Sequence, residues 1–371
     1  VSEDSDNQKL DALRERIDRL DRALVDMLNE RAQVVVEIGK IKRDTGGPIY
    51  APARESAVLS RVLGANKGPL PDRCIERVYR EIMSGSFALE QPLRIGYLGP
   101  EGSYSNVAAR QHFGGSVDYE DLHTIEGVFT EVRRGHVDYG LVPIENSTGG
   151  GIVETLDAFQ DARGEVFAYA EVQMAIRHNL LANCPPSAVE RIYSKPEVFA
   201  QCRHWVTTQY PRAELIPAAS SSRACQHVRD AIAADPHAPV AAIASALSAE
   251  KYELNVLFES IEDDPNNLTR FLVLSTSRAK PTGDDKTSLM FSTDSSAGTL
   301  VRVLNVFADA GVNLTHIDKR PTGRKVWNYT FFIDALGHID DEKMQTAIEK
   351  ARLCCQELTI LGSYPVSRRV L

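Results

Sequence analysis

The sequence lacks the features that mark several classes of protein. Its six cysteines form no C-x-x-C pair, and none has a histidine at zinc-site spacing, so reduced structural thiols are the reading preferred over a disulfide framework or a zinc site. Such thiols fit a cytoplasmic protein. There is no run of about 18 apolar residues and no apolar N-terminal segment, which argues against membrane insertion and against secretion. Basic charge is in deficit, with 42 Lys and Arg against 51 Asp and Glu and a net charge of −9, so nucleic acid is not the expected partner. Any anionic ligand must be met by a local cluster of cations. What is present is the balance of a soluble globular protein, 371 residues with 43% hydrophobic and 25% charged, enough chain for two or three domains.

From Leu10 the apolar residues run Leu10, Leu13, Ile17, Leu20, Leu24, Leu28, Val35 and Ile38, at three-four spacing, until Thr45-Gly46-Gly47-Pro48 ends the pattern. The spacing predicts one helix over 7–44, on the order of 57 Å long at the helical rise. Shorter helices are expected at about 52–65 and 71–88. Three helices so unequal cannot cover each other's apolar faces, which calls for a second copy of the chain. Arg31 and Lys42 return to nearly the same helix face and lie about 16 Å apart, within reach of one ligand through long side chains. Arg14, about 25 Å further back along the axis, can join that pocket only from another subunit.

Leu13-Arg14-Glu-Arg-Ile17-Asp18, Glu30-Arg31, Val36 to Lys42 and Arg54-Glu55 together resemble the all-helical chorismate mutases, and the likeness covers nearly all of residues 8–90. The resemblance implies that Arg14 of one chain with Arg31, Lys42 and Arg54 of the other hold the two carboxylates and the ether oxygen of chorismate. It implies that Glu55 takes the substrate hydroxyl and that Ser86 lies on the pocket wall. Ala51 stands where many members have an acidic residue, and Glu90 where some have Gln. A concerted rearrangement needs no acid or base, only a folded substrate and donors at the breaking C–O bond. Glu90 donates there only when protonated.

After Gln91-Pro92, short apolar strands alternate with helical patterns to about residue 275, predicting an α/β arrangement with mostly parallel sheets and ligands at the C-terminal strand ends. One stretch stands out. The strand through Val142 stops at Pro143 and delivers Glu145, Asn146, Ser147 and Thr148 onto Gly149-Gly150-Gly151, with Ile152, Leu156 and Phe159 at helical spacing beyond. Ser147 and Thr148 are therefore expected at a helix N-terminus, where free N–H groups attract anions. Gly99 to Ser105 reads the same way. Ser103, Ser105, Ser194-Lys195-Pro196 and Thr269-Arg270-Phe271 lie at comparable positions, and none of these blocks makes a Ser/His/Asp or metal-binding set. No cofactor or metal is called for.

These blocks, with His178-Asn179-Leu180 and the segment around Gln201, resemble prephenate dehydratase over residues 93–275, including Lys195 where His is common. The fold implied is two α/β lobes around a cleft, as in solute-binding proteins. Thr269 is implied as the main catalytic group. Ser103, Ser105, Asn146, Ser147, His178, Ser194, Gln201, Arg270 and Phe271 are implied to bind substrate or shape its pocket. Beyond a polar linker at 277–286, the order strand, helix, strand, strand, helix, strand (288–293, 299–310, 314–320, 326–334, 341–354, 358–364) predicts a ferredoxin-like unit. Gly298-Thr299-Leu300-Val301 and Ile317-Asp318-Lys319-Arg320-Pro321 resemble the two amino-acid-binding motifs of the ACT regulatory domain, with Thr299 for the usual Ala and Asp318-Lys319 for the usual Glu-Ser. The implied effector is phenylalanine.

The expectation is thus a cytoplasmic, multidomain homodimer. It comprises an all-helical mutase domain (1–91), a two-lobed α/β dehydratase domain (92–276), and a linker with an α+β ACT domain (277–371). Chorismate would become prephenate and then phenylpyruvate, under feedback by phenylalanine. An arogenate dehydratase and a non-catalytic two-lobed sensor are the rivals.

Overall fold

The computed structural model describes residues 2–321 and 329–371, which fall into two compact units. The first holds residues through 51, 58–93 and 113–117, and the second holds 52–57, 94–112 and 118–371.

Three helices open the chain: α1 (Ser2–Thr45), α2 (Pro52–Ala65) and α3 (Asp72–Glu90). In the first unit α1 packs on α3 only near its C-terminal end. Gly39 makes that crossing close, since a Cβ there would lie 3.2 Å from the Glu90 Cα. Tyr50, 1% exposed, sits edge-on to Phe87 and Phe113 and fills the space beside it. Upstream the apolar stripe is uncovered. Leu10, Leu13, Ile17, Leu20, Leu24 and Leu28 are 43–57% exposed.

The second unit begins with β1 (Arg94–Leu98), α4 (Tyr104–Phe113), β2 (Asp118–Leu122), α5 (Ile125–Arg134), β3 (Tyr139–Asn146), β4 (Gly150–Gly151), α6 (Val153–Ala162) and β5 (Phe167–Ala175). It continues with β6 (Asn179–Ala182), β7 (Arg191–Ser194), α7 (Pro196–Gln201), α8 (Arg203–Gln209), β8 (Glu214–Pro217), α9 (Ser221–Ala234), β9 (Val240–Ala244), α10 (Ala246–Tyr252) and β10 (Asn255–Phe258). The strand β11 (Leu268–Ser275) then returns to the first group. Two sheets result, ordered β2-β1-β3-β11-β5 (with β4 on β3) and β10-β6-β9-β7-β8. Each sheet anchors a lobe, and the chain crosses between lobes twice, from β5 to β6 and from β10 to β11.

Those crossings change the expected sheet. Strands β1, β2 and β3 are parallel, as are β7, β8 and β9, but β11 runs antiparallel to β3 and β5, and β6 antiparallel to β9 and β10. The sheets are mixed because a strand that re-enters a lobe from the other side must run against its neighbours.

The last part comprises β12 (Asp285–Ser292), α11 (Thr299–Asp309), β13 (Leu314–Pro321), β14 (Tyr329–Leu336), α12 (Glu342–Arg352) and β15 (Glu357–Pro365). Its sheet, β13-β14-β12-β15, is antiparallel throughout. The element order is the one the sequence pattern predicts, although the first three residues of the expected strand 326–334 lie outside the described residues. One face of this sheet buries Leu289, Phe291 and Ile333 under Val303, Phe307 and Ala347 of its helices. Its other face adds Met290, Phe332, Leu361 and Tyr364 to a core shared with Val142, Ile144, Leu272 and Leu274 of the first lobe. This last sheet is therefore packed against the lobe that carries Asn146 and Thr269.

Candidate active sites

In the first unit two cations on α1 face two polar groups on α3. The Arg31 guanidinium donates to Ser86 Oγ at 2.7 Å, and the Lys42 ammonium to Glu90 Oε2 at 2.7 Å and to the Ile49 carbonyl at 3.2 Å. Glu90 is buried, and its own backbone carbonyl accepts from Arg43. The four predicted residues thus form two rungs between the same two helices. Arg14 lies far along the uncovered part of α1, with its guanidinium 3.2 Å from Asp11 of the same turn. Arg54 and Glu55 stand on the first turn of α2.

In the second unit Thr269 and Asn146 are register partners on β11 and β3, and Met174 is Thr269's partner on β5. The Asn146 amide nitrogen donates to Thr269 Oγ1 at 2.9 Å. Its orientation is settled by its oxygen, which accepts from the backbone N–H groups of Thr148 and Gly149, both at 3.0 Å, and from the Thr148 hydroxyl at 2.6 Å. With Thr269 Oγ1 accepting, the Thr269 hydroxyl proton is directed away from Asn146.

The chain of contacts continues into the other lobe. Gln201 Nε2 donates to Thr148 Oγ1 at 3.1 Å, its Oε1 lies 2.8 Å from His178 Nε2, and His178 Nδ1 lies 2.7 Å from the Tyr104 hydroxyl. His178 is 1% exposed, and burial lowers its pKa from the usual value while the Gln201 contact partly offsets this. A neutral ring donates from Nε2–H to Gln201 Oε1, while the single proton of the Tyr104 hydroxyl is shared between His178 Nδ1 and the Arg177 carbonyl, 2.9 Å away. Tyr104, half-buried, is pushed well above the ordinary phenol range by desolvation of its hydroxyl.

Two cavities flank the Asn146–Thr269 pair. One, of about 380 Å³, is lined by Thr148, Gly149, Gln201 and Asn267 together with Glu197, Glu262, Asp263 and Asp264. The other, about 570 Å³, includes Met174, Tyr104 and Asn179 and carries the guanidiniums of Arg110 and Arg177. Asn267, two residues before Thr269, is 1% exposed, and its Oδ1 accepts from Asn146 at 3.0 Å. Its amide nitrogen is buried with no hydrogen-bond partner among the described residues. Such a donor costs free energy unless something arrives to accept from it. Asn267 and Tyr104 are not singled out by the sequence pattern, and Thr148 is expected there only as part of a helix N-terminus. The one available signal was the polar Asn266-Asn267 pair just ahead of an apolar strand.

Several predicted binding groups are occupied elsewhere. Ser147 and Thr148 lie on a β3–β4 hairpin, not at a helix N-terminus, because Gly150 adopts φ 78° and the chain pairs back on β3 before α6 begins. Ser147 Oγ donates to the Asn266 carbonyl and accepts from the Leu268 N–H, pinning the hairpin to the start of β11. Ser103 Oγ donates to the Leu98 carbonyl, and Ser105 is buried in the first turn of α4. Ser194, fully buried, donates to the Ile243 carbonyl, and Phe271 is 1% exposed in the core. Both His178 nitrogens are engaged within the protein. Arg270 differs most from expectation. Strand alternation turns it to the face opposite Thr269, where its guanidinium meets Asp334 at 2.5 Å, Glu171 at 3.1 Å and Glu145 at 3.3 Å.

In the regulatory part, Gly298 takes φ 83° and caps α11, and the Thr299 hydroxyl donates within that cap to the Asp294 and Ser296 carbonyls. Leu300 packs on the domain core, whereas Val301 is 56% exposed. Along β13, Lys319 and Pro321 are exposed, Lys319 stacks its ammonium over Tyr329, and Arg320 forms a two-pronged pair with Asp157 of α6 at 2.7 and 2.8 Å.

A helical unit with paired cations and a carboxylate, a two-lobed unit with an Asn–Thr pair, and an antiparallel sheet under two helices make a chain of two candidate active sites and one further small domain. Family models match in that order: chorismate mutase type II over 13–91, prephenate dehydratase over 95–279, and the ACT domain over 287–353. The bifunctional chorismate mutase/prephenate dehydratase of Stutzerimonas stutzeri is 40% identical over 97% of this chain and 99% of its own length. The Pseudomonas aeruginosa protein of the same name has the same identity and coverage. The solved prephenate dehydratase of Arthrobacter aurescens, in complex with L-Phe, is 32% identical, with a TM-score of 0.68 over 74% of this chain and 90% of its own. The chain belongs to the bifunctional chorismate mutase/prephenate dehydratase family, an isomerase joined to a lyase with an ACT domain.

Proposed function

We propose that the two activities reside at separate sites, chorismate rearranging in the helical unit and prephenate losing water and carbon dioxide beside Thr269. The observation that carries the second assignment is the hydrogen bond from Asn146 to Thr269 Oγ1. It leaves the hydroxyl proton free to point at the substrate's leaving hydroxyl. Prephenate has to lose its ring carboxylate as carbon dioxide, with the C–C electron pair entering the ring, and its C–O bond breaks in the same direction. Aromatisation drives both. Threonine is a weak acid, so Thr269 acts by donating a hydrogen bond to the developing hydroxide, which solvent protons complete to water. The larger cavity sets Arg110 and Arg177 against Glu250 and Glu259, whereas the smaller holds four carboxylates and no Lys or Arg, so the larger is the one that repels a dianion less. Asn267 supplies a second donor next to Thr269.

In the helical unit, Arg31 and Lys42 hold the carboxylates and ether oxygen of chorismate against Ser86 and Glu90, and Arg14 comes from a second chain. Arg54 and Glu55 keep the roles the family resemblance implies. The uncovered leucines of α1 support the homodimer, since a second α1 is the natural cover for a continuous apolar stripe. Six free thiols fit a reducing cytoplasm, and no described helix is long and apolar enough to cross a membrane.

The test supplies chorismate to the purified protein and follows prephenate and phenylpyruvate, with and without phenylalanine. Both products should form, the second less with phenylalanine present. Formation of neither product removes the proposal. Parallel rates on prephenate and arogenate decide the dehydratase substrate.

A further inference from the structure

The strands that carry Thr269 and Asn146 also carry, one residue along each, a second register pair, Arg270 and Glu145. Alternation sends the first pair to the cleft and the second to the opposite face. That face is where the regulatory sheet docks. Asp334 of β14, with its side chain 5% exposed, takes the Arg270 guanidinium and also accepts from Ser288 of β12, which in turn meets the Tyr364 hydroxyl. Glu171 of β5, fully buried, contacts both Arg270 and Lys286 of β12. Two cations and two carboxylates are thus sealed between lobe and regulatory domain, an arrangement that tolerates loss of a member poorly.

A second line of contacts comes from β13. Its residues alternate between half-buried and exposed, and the half-buried ones touch the catalytic hairpin and its helix in succession. His316 Nδ1 lies 3.5 Å from Glu145, Asp318 lies so close to Gly151 that a Cβ there would overlap its carboxylate, and Arg320 grips Asp157. Gly151 is the register partner of Glu145 on β4. The intervening Ile317 and Lys319 face away, exposed.

We propose that Asp334 and His316, although they belong to the regulatory domain, are positioning residues for dehydration, acting through Arg270 and Glu145 to set the strand ends that hold Thr269 and Asn146. The proposal rests on the assignment of that pair as the dehydratase site. It gives the sensing domain a direct grip on catalysis: a ligand that moves β13 relative to β14 alters both supports of the pair together, with no need to enter the cleft.

The experiment uses the full chain, with mutase activity as an internal check. Asp334→Asn should lower dehydratase kcat by about ten- to a hundredfold, a loss typical of a misplaced reacting group, with KM for prephenate and the mutase rate unchanged. Phenylalanine should still bind by calorimetry while inhibiting less. Asp334→Glu should restore part of the rate. Dehydratase kcat and phenylalanine inhibition both at wild-type values in Asp334→Asn would overturn the proposal. If that variant does not fold, His316→Asn, at the rim of the same contact, decides on the same readouts: reduced kcat with bound but less effective phenylalanine supports the proposal, and wild-type values overturn it. Thr269→Ala is run beside them. If it retains dehydratase activity, the site assignment fails, a result separate from any effect at Asp334.

Discussion

At the scale of single residues, the direction of one proton organises the dehydratase site. Asn146 can only donate to Thr269, because its oxygen is held by the Thr148 and Gly149 N–H groups. Thr269→Ala removes the outward donor and should lower dehydratase kcat by about 10²–10³-fold, the usual cost of losing one preorganised donor. Prephenate should then accumulate from chorismate at an undiminished rate. Asn146→Asp is the sharper test. A carboxylate has no proton to give, so Thr269 would donate inward to it, and the loss should exceed that of Asn146→Ala; equal losses would argue that Asn146 only fills space. Asn267→Leu should raise KM or lower kcat, and it should also cost some stability, since it removes the orphaned donor together with the oxygen that accepts from Asn146. In the helical unit Glu90 already pairs with Lys42. Glu90→Gln keeps a side-chain donor for the ether oxygen and should leave the mutase active, whereas Glu90→Ala should lower its rate; equal rates in the two variants would show that Lys42 does the work alone.

At the scale of elements, what could be read from the sequence was set by periodicity. Helix α1 follows from three-four spacing and the ferredoxin-like order of the last domain from its alternation of strand and helix patterns, and both lie where those patterns put them. The side-chain assignments within strands were harder, because a contiguous block such as Thr269-Arg270-Phe271 looks like one functional set when period two divides it between opposite faces. Arg270 belongs to the regulatory contact and Phe271 to the core. The hairpin at Ser147 was read as a helix start because three glycines can end a strand in either way, and only the pairing of β4 with β3 distinguishes them. Asn267 and Tyr104 were hidden for another reason: their partners lie more than a hundred or about seventy residues away in sequence. The stripe on α1 yields the prediction proper to this scale. Leu20→Glu with Leu24→Glu places charge on surface that is 52–56% exposed in one chain and would be covered by a second. Sedimentation should show a weakened dimer and the mutase rate should collapse for want of a second chain's Arg14. Full mutase activity in a demonstrably monomeric variant would refute the shared site.

At the scale of the whole molecule, the second unit depends on charges whose proton affinities folding has moved in one direction. His178 is lowered from 6.5 chiefly by burial, and Glu145 is lowered from 4.5 chiefly by its contact with His316. Asp334 is lowered from 3.8 even though burial pushes the other way, because Arg270 and Lys286 face it. In each case the unfolded chain takes up a proton at a higher pH than the folded one. Each contribution to stability is therefore complete above the unfolded value and is lost as pH falls through the folded value. The losses are staggered, that of His178 beginning just below pH 6.5 and those of the two carboxylates below 4.5 and 3.8. Calorimetric melting of the second unit should accordingly decline gently from pH 6.5 downward and steeply under pH 4.5. His178→Gln should remove the upper decline and leave the lower one. Because the carboxylates lie where the regulatory sheet meets the catalytic lobe, the steep phase should coincide with loss of phenylalanine inhibition. A melting temperature unchanged between pH 7 and 5 in the wild type would show that His178 contributes no such dependence, and a steep phase in which inhibition persists until unfolding would show that the two carboxylates do not couple the two parts.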